Sequence, residues 1–499
     1  MTCEESLCTG IDVFERIFHP KNIAIIGVSS KGSMFGSGIF NSLSAIGFEG
    51  GIYPVNPKGG EFNGRRLYEN IGEIPAEIDF AIIAVPAERV PAALEECRTA
   101  GVAGVEILSA GFSETDTQRG RELEEEIRRI AARGIRVVGP NCFGIYCPAS
   151  GLTLLPGPDL SRQSGHVAFL SQSGGMSIDF AHIGKWMGVR FSKVISFGNG
   201  ADLRETELLE YLGDDPETKV IGMYIEGVKD GRGFFEVLKS VAAKKPVIIN
   251  KGGLSQAGSR AVASHTASMG GSKVIWESLL RQAGAVQVDD LWEMAHTCLV
   301  FSHLPERVCR GITIAGGGGA LGVAGCDAAE KFGLELPLLH GDIRDAIMDV
   351  LPRPGSSANN PIDAANPFVH PEAYRQVFTQ SAKDERIDVQ ILIQLLYHYK
   401  SVSAGMGIAV KEITPYRELS DVLGSVIEKT GKPIMLVLPN IKQGMDSMDI
   451  EGLVREAREV FLEKNIPVFD DLSSALKALS RVSEYYAKRD DRRSPGGKK

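Results

Sequence analysis

The chain has 499 residues, 43% of them apolar and 23% charged, which is the make-up of a folded water-soluble protein of about three domains. Its 54 basic and 63 acidic residues leave a net charge of −9, so no cationic field invites nucleic acid. No apolar run approaches the ~18 residues of a membrane-spanning helix, the first residues lack a secretory signal, and the eight cysteines form no CxxC pair, which leaves zinc and redox motifs unsupported and points to reduced thiols in the cytoplasm.

In chain order, the dominant signal is an apolar strand, then glycine, then an amphipathic helix. Strands are predicted at 21–27, 51–55, 80–85, 104–109 and 135–138, with helices through Ile46 and over 88–100 and 117–133. This alternation predicts a doubly wound parallel sheet that ends near Cys147. The pattern restarts with strands at 165–170, 191–196, 220–225 and 246–250. Helices are predicted over 176–187, 203–213, 233–243, 272–283 and 289–303. A third round has strands at 311–315, 389–397, 433–439 and 466–470, a helix over 320–333, and a Pro- and Asn-rich loop over 352–368. The fold class is therefore α/β throughout, in three units: 11–147, 148–304 and 305–487. The basic segment 488–499 reads as a disordered tail.

Glycine is in excess, 57 residues, about 11% against a usual ~7%, and the strand-end loops use it. Gly27, Gly32, Gly36 and Gly38, with Ser29 and Lys31 between them, follow the first strand. Backbone N–H groups and a helix N-terminus there suit a phosphate-bearing ligand, although the spacing is neither GxGxxG nor a Walker A loop. Ser171, Gln172, Ser173, Gly174 and Gly175 join a strand to a helix. They read as an anion site on the helix dipole, as a plain helix cap, or as a nucleophile elbow carrying Ser173 in which Ser171 replaces the first glycine of GxSxG. His265 lies among small residues, 263–272, and reads either as a nucleophile that accepts a phosphoryl group on a mobile segment or as a merely exposed loop histidine. Glu226 closes a strand, where a carboxylate orients an imidazole N–H. Cys142 reads as a buried inert thiol or as an acyl carrier. Gly316, Gly317, Gly318 and Gly319 form a further anion-type cradle, and no metal-ligand cluster stands out.

Several blocks recur in one order: Ile25–Ser29, Tyr53–Lys58, Gly139–Cys142, Leu170–Gly175, Ser264–Thr266, Ala315–Gly319 and Asn360–Asp363. In these blocks, spread from about Ile11 to Tyr486, the chain resembles the alpha subunits of the nucleoside-diphosphate-forming acyl-CoA synthetases, relatives of succinyl-CoA synthetase. The resemblance implies a Rossmann-like CoA-binding domain followed by two flavodoxin-like, succinyl-CoA synthetase-type domains. It implies an acid–CoA ligase that reversibly converts acyl-CoA, ADP and phosphate into carboxylic acid, CoA and ATP, through an acyl phosphate and a phosphohistidine on His265. Glu226 matches the carboxylate that steadies the phosphohistidine, and Ser171 to Gly175 match the loop that holds the phosphate. Gly27, Ser29, Lys31, Val55, Asn56, Pro57, Val85 and Pro86 match the surroundings of coenzyme A, and Asn141 lies by analogy near the thioester. No ATP-grasp segment is recognisable in the chain. The resemblance therefore implies that ADP/ATP, with Mg2+, binds a separate ATP-grasp beta subunit in an α2β2 hetero-oligomer acting on a small carboxylic acid. Ala267 stands where the family usually has glycine, which implies a stiffer histidine loop. The competing readings are a non-catalytic CoA-sensing protein, and a serine hydrolase using Ser173 with Asp202 and His265.

Overall fold

The computed structural model describes residues 13–31, 35–153, 159–266 and 272–493. Five short, mainly apolar segments become the first sheet: β1 (Asn22–Ile26), β2 (Gly51–Val55), β3 (Phe80–Ile83), β4 (Gly104–Ile107) and β5 (Arg136–Val138). All are parallel, in the order β2-β1-β3-β4-β5. β1, β3 and β4 are buried almost end to end, as strands covered on both faces must be. Helices α1 (Phe35–Ile46), α2 (Val90–Thr99) and α3 (Gln118–Ala131) supply the cover. The Thr117 side chain caps α3 by accepting from the Gly120 N–H at 3.0 Å. The strand order reverses between β1 and β3, which is where open α/β sheets bind ligands.

The second sheet holds β6 (Gly144–Tyr146), β7 (Val167–Ser171), β8 (Phe191–Ser196), β9 (Val220–Ile225), β10 (Val247–Lys251) and β11 (Val286–Val288), in the order β11-β10-β9-β7-β8-β6. The five strands from β7 on have the flavodoxin order, and β6 adds antiparallel to the β8 edge. One apolar cluster runs through both sheets, with Ile25 and Phe80 of the first and Leu170, Ile195 and Met223 of the second. Both sheets accordingly lie within one compact unit, which extends to Met294.

A second unit begins at Ala295. Its sheet is β12 (Ile312–Gly316), β13 (Val389–Ile393), β14 (Ile434–Val437) and β15 (Val468–Phe469), parallel and in sequence order. On the outer edge of β12, isolated bridges at Glu335 and Ile362 stand where a flavodoxin-like sheet has its second strand. The last helix of the chain, Leu472–Arg493, runs into the segment expected to be a disordered tail. Arg489 holds it there: its guanidinium pairs with Glu306 at 3.1 Å and lies over the Tyr486 ring at 4.4 Å. Residues 494–499 lie outside the described residues. Among the described residues no helix is long and apolar enough to cross a membrane.

Candidate active site

The first-sheet loops meet at the strand-order reversal. Gly27 has φ +110°, and a Cβ there would fall 2.4 Å from the Ala84 carbonyl oxygen. Gly36, in the first turn of α1, presses on the same loop, since its Cβ would sit 2.7 Å from the Gly27 carbonyl. Two glycines thus let the helix N-terminus close on the β1 loop. The Asn56 carboxamide donates to the Val28 carbonyl at 2.6 Å and accepts from the Lys58 N–H at 3.0 Å. The Ser29 hydroxyl accepts from the Lys31 N–H at 3.2 Å, and the Lys31 side chain stays exposed. Val85 and Pro86 follow β3 beside this loop. The Ser109 hydroxyl donates to the Val85 carbonyl, and the Asn141 N–H donates to the Ser109 carbonyl at 2.9 Å. One continuous edge therefore leads from the glycine cradle to Asn141.

Asn141 has φ +56°, a left-handed conformation that asparagine tolerates better than most side chains. Beside it Cys142 is buried, with Sγ 3.3 Å from the Ile107 carbonyl, and burial pushes its thiol far above the ordinary range. That is the inert thiol rather than the acyl carrier. Glu106 lies beneath the same segment. Burial pushes its carboxyl up to about 8, and Oε2 accepts from the Ile145 N–H at 3.1 Å.

β7 leads through the Ser171–Gly175 loop into α4 (Gly174–Met187). The buried Ser171 hydroxyl donates to the Ser173 carbonyl at 2.6 Å, and the Ser173 hydroxyl accepts from the Met176 N–H at 3.5 Å. Both hydroxyls shape the turn, and the leading N–H groups of α4 have no partner inside the helix. The Gln172 carboxamide oxygen accepts from the Glu226 and Gly227 N–H groups at 2.8 and 3.2 Å, which ties the loop to the end of β9. The Glu226 carboxylate, buried there, accepts from the Tyr224 hydroxyl at 3.3 Å. The buried Lys251 donates to the Glu226 carbonyl at 2.7 Å and lies 4.9 Å from the Trp276 ring centroid. Burial pulls its ammonium down to about 8, against the opposing pull of the Glu226 charge. The serine-hydrolase reading loses its acid: both Asp202 carboxylate oxygens accept from the Arg136 guanidinium, at 2.9 and 3.2 Å, and one also accepts from the Val137 N–H at 2.8 Å.

A cavity of about 900 Å³ opens between the Asn141 segment and the turn at the start of α4. Its lining includes Ser173 to Gly175, Gly227 beside Glu226, Asn141 and Phe143. The helix carrying His265 (Gln256–Thr266) has backbone within 8 Å of the Ser113–Thr115 turn, and Ser113 lines the same cavity. The His265 side chain and Ala267 lie outside the described residues. Gly27, Ser29, Lys31, Val55 to Pro57, Val85 and Pro86 stand along the first-sheet edge and do not line the cavity. Sequence reasoning passed over Phe143, Asn199, Glu106 and Lys251. Only Lys251 carried a signal, a charge closing an apolar strand. The Gly316–Gly319 cradle belongs to the second unit, at a separate cavity of about 280 Å³ lined also by Asp363, Gln394 and His398.

A doubly wound domain with a glycine-rich strand-end loop, joined to a flavodoxin-like domain whose Ser171–Gly175 turn is tied through Gln172 to the end of β9, has the architecture of the succinyl-CoA ligase class. Residues 21–148 match the family described as a CoA binding domain, and residues 164–301 the succinyl-CoA ligase like flavodoxin domain. The chain is 34% identical over 485 residues to the acetate–CoA ligase [ADP-forming] I subunit alpha of Pyrococcus furiosus, covering 94% of this chain and 97% of the relative. To the acetate–CoA ligase [ADP-forming] I of Archaeoglobus fulgidus it is also 34% identical, over 94% of this chain but 63% of the relative. The fold superposes on the acetyl-coenzyme A synthetase 1 of Ca. Korarchaeum cryptofilum, solved with phosphate and ADP, with a TM-score of 0.80 at 29% identity, covering 95% of this chain and 97% of that one. The chain belongs to the ADP-forming acid–CoA ligases, on the alpha-subunit side of that family. It is an enzyme chain of a family that uses coenzyme A and ADP/ATP.

Proposed function

We propose that this chain is the alpha subunit of an ADP-forming acid–CoA ligase whose phosphoryl carrier is His265. Residues 11–147 bind coenzyme A along the edge from Gly27, Ser29 and Lys31, past Val55 to Pro57, to Val85 and Pro86. Residues 148–304 carry the chemistry, and 305–487 form the third domain. A phosphate oxygen attacks the thioester carbonyl carbon near Asn141. The C–S bond breaks, CoA leaves as the thiolate and takes a proton, and acyl phosphate remains. An imidazole nitrogen of His265 then attacks phosphorus, the P–O bond to the acyl group breaks, and a small carboxylate departs. Finally an ADP oxygen on an ATP-grasp beta subunit takes the phosphoryl group as the P–N bond breaks.

Positioned dipoles matter more than covalent machinery in such transfers. The Ser171–Gly175 loop supplies them through the N-terminus of α4, and Glu226 orients and stabilises the charged imidazole. The observation that carries this reading is the single cavity uniting Ser173 to Gly175, the end of β9 and Asn141. The free cysteines among the described residues suit a cytoplasmic location. The test supplies the chain and its ATP-grasp partner with [γ-32P]ATP. An acid-labile, alkali-stable label on His265 is expected, with label and turnover both lost in His265→Ala. Undiminished turnover by His265→Ala overturns the proposal.

A further inference from the structure

The loop between β8 and α5 (Glu205–Asp214) lies directly on the Asn141 segment. The Asn199 N–H donates to the Pro140 carbonyl at 3.0 Å and the Ala201 N–H to the Gly139 carbonyl at 2.9 Å. Gly198, at φ +53°, has no room for a side chain, since a Cβ would fall 2.3 Å from the Asn141 and Pro140 carbonyl oxygens.

On this clamp the Asn199 carboxamide has a fixed orientation. Its Nδ2 donates to Glu114 Oε2 at 2.6 Å and to Glu124 Oε2 at 3.0 Å. Two carboxylates accept and cannot donate, so the amide nitrogen must face them and the amide oxygen must face the other way. That oxygen accepts from Asn141 Nδ2 at 3.3 Å. The orientation passes on: Asn141 must turn its nitrogen toward Asn199, which leaves its own oxygen and second N–H for the cavity that both residues line. The Glu124 carboxylate is itself buried and held by Arg128 and the Ser113 N–H, so the chain starts from a rigid anchor.

We propose that Asn199 is a positioning residue for the acyl-transfer step, setting the carboxamide of Asn141 toward the thioester carbonyl through the Glu114–Glu124 carboxylates behind it. The inference rests on the reading of Asn141 and His265 given above. The phosphohistidine can be charged from two directions, and only one of them passes through acyl transfer. The experiment therefore uses the chain with its partner subunit, and follows labelling of His265 from acetyl-CoA plus [32P]phosphate and, separately, from [γ-32P]ATP. In Asn199→Ala the first rate is expected to fall about 10- to 100-fold, as misplacement of a reacting group does, with the second rate and the KM for CoA within about twofold of wild type.

Two further variants separate positioning from space-filling. Asn199→Asp is isosteric but sets a third carboxylate against Glu114 and Glu124, and is expected to do no better than Asn199→Ala. In a double-mutant cycle, Asn199→Ala added to Asn141→Gly should cost nothing further, because coupled residues are non-additive. Rescue by Asn199→Asp, additive effects, or equal loss of both labelling rates would overturn the proposal. Should Asn199→Ala not assemble, Asn199→Ser carries the same comparison. Absence of both labels in wild type would instead overturn the underlying reading of His265.

Discussion

Lys251 faces a choice between charge and burial. Lys251 ends β10 inside the protein, its ammonium held by the Glu226 carbonyl and the carbonyl of Gly252 and packed on Trp276. Backbone carbonyls carry only partial charge, so they do not offset the lost hydration, and the group titrates near 8 instead of ~10.4. The consequence for stability has a definite sign. Between about 8 and ~10.4 the unfolded chain binds more protons at this site than the native one, so native stability rises with pH through that window. Urea unfolding of wild type and Lys251→Met at stepped pH should therefore show wild type gaining on the variant from pH 8 toward 10. A constant difference would count against the buried-cation account. The residue lies one bonded step from Glu226, so the same variant should also disturb the backbone that aims that carboxylate.

At the scale of elements, the segment from Gly139 to Tyr146 is the joint of the first unit. It leaves β5, presents Asn141, and enters the second sheet as β6. Glu106 supports it from below, its carboxyl 2.5 Å from where a Gly144 Cβ would stand, so only glycine at φ +85° fits there. With its carboxyl near 8, Glu106 is largely protonated at neutral pH. The sign is opposite to that of Lys251: between ~4.3 and about 8 the native state holds the extra proton, so stability falls as pH rises through that window. Glu106→Gln should be close to neutral near pH 5 and should become relatively stabilising toward pH 8.5, read as a thermal-unfolding difference. A variant uniformly less stable at every pH would argue that the carboxyl is charged. These elements also show what the sequence could reveal. The long parallel strands were legible because burial on both faces demands unbroken apolar runs. β6 and β11, three residues each, offer only two apolar side chains apiece, whereas the equally short β5 is extended in sequence by Ile135. The final helix was hidden by its charges, since a basic run reads as solvated unless the acidic partner, Glu306, is seen. Ser171 to Gly175 and Glu226 were legible as strand-end punctuation, whereas Asn199 sits in a Phe-Gly-Asn-Gly turn whose composition is that of any turn.

Across the whole molecule, the chemistry must move an acyl group from one sulfur without stopping at another. The described residues contain six free cysteines, of which Cys97, Cys142, Cys147, Cys298 and Cys309 are buried and Cys326 is partly exposed. Burial raises the thiol of each, and a protonated thiol is a poor nucleophile. Cys142, beside Asn141, is the one a thioester exchange would need, yet its Sγ is directed to the Ile107 and Val138 carbonyls and not to the cavity. On the function proposed above, the acyl group is then left to phosphate at the Ser173–Gly175 turn, which lines the cavity that Cys142 does not. Brief treatment of the chain and its partner with N-ethylmaleimide, followed by peptide mass spectrometry, should modify Cys326 ahead of Cys142 and the other buried thiols. Labelling of His265 from acetyl-CoA and [32P]phosphate should survive that treatment, and Cys142→Ser should retain it. Loss of this label in step with modification of Cys142, with the label from [γ-32P]ATP intact, would make the thiol a covalent way-station and replace direct transfer to phosphate with a two-stage exchange.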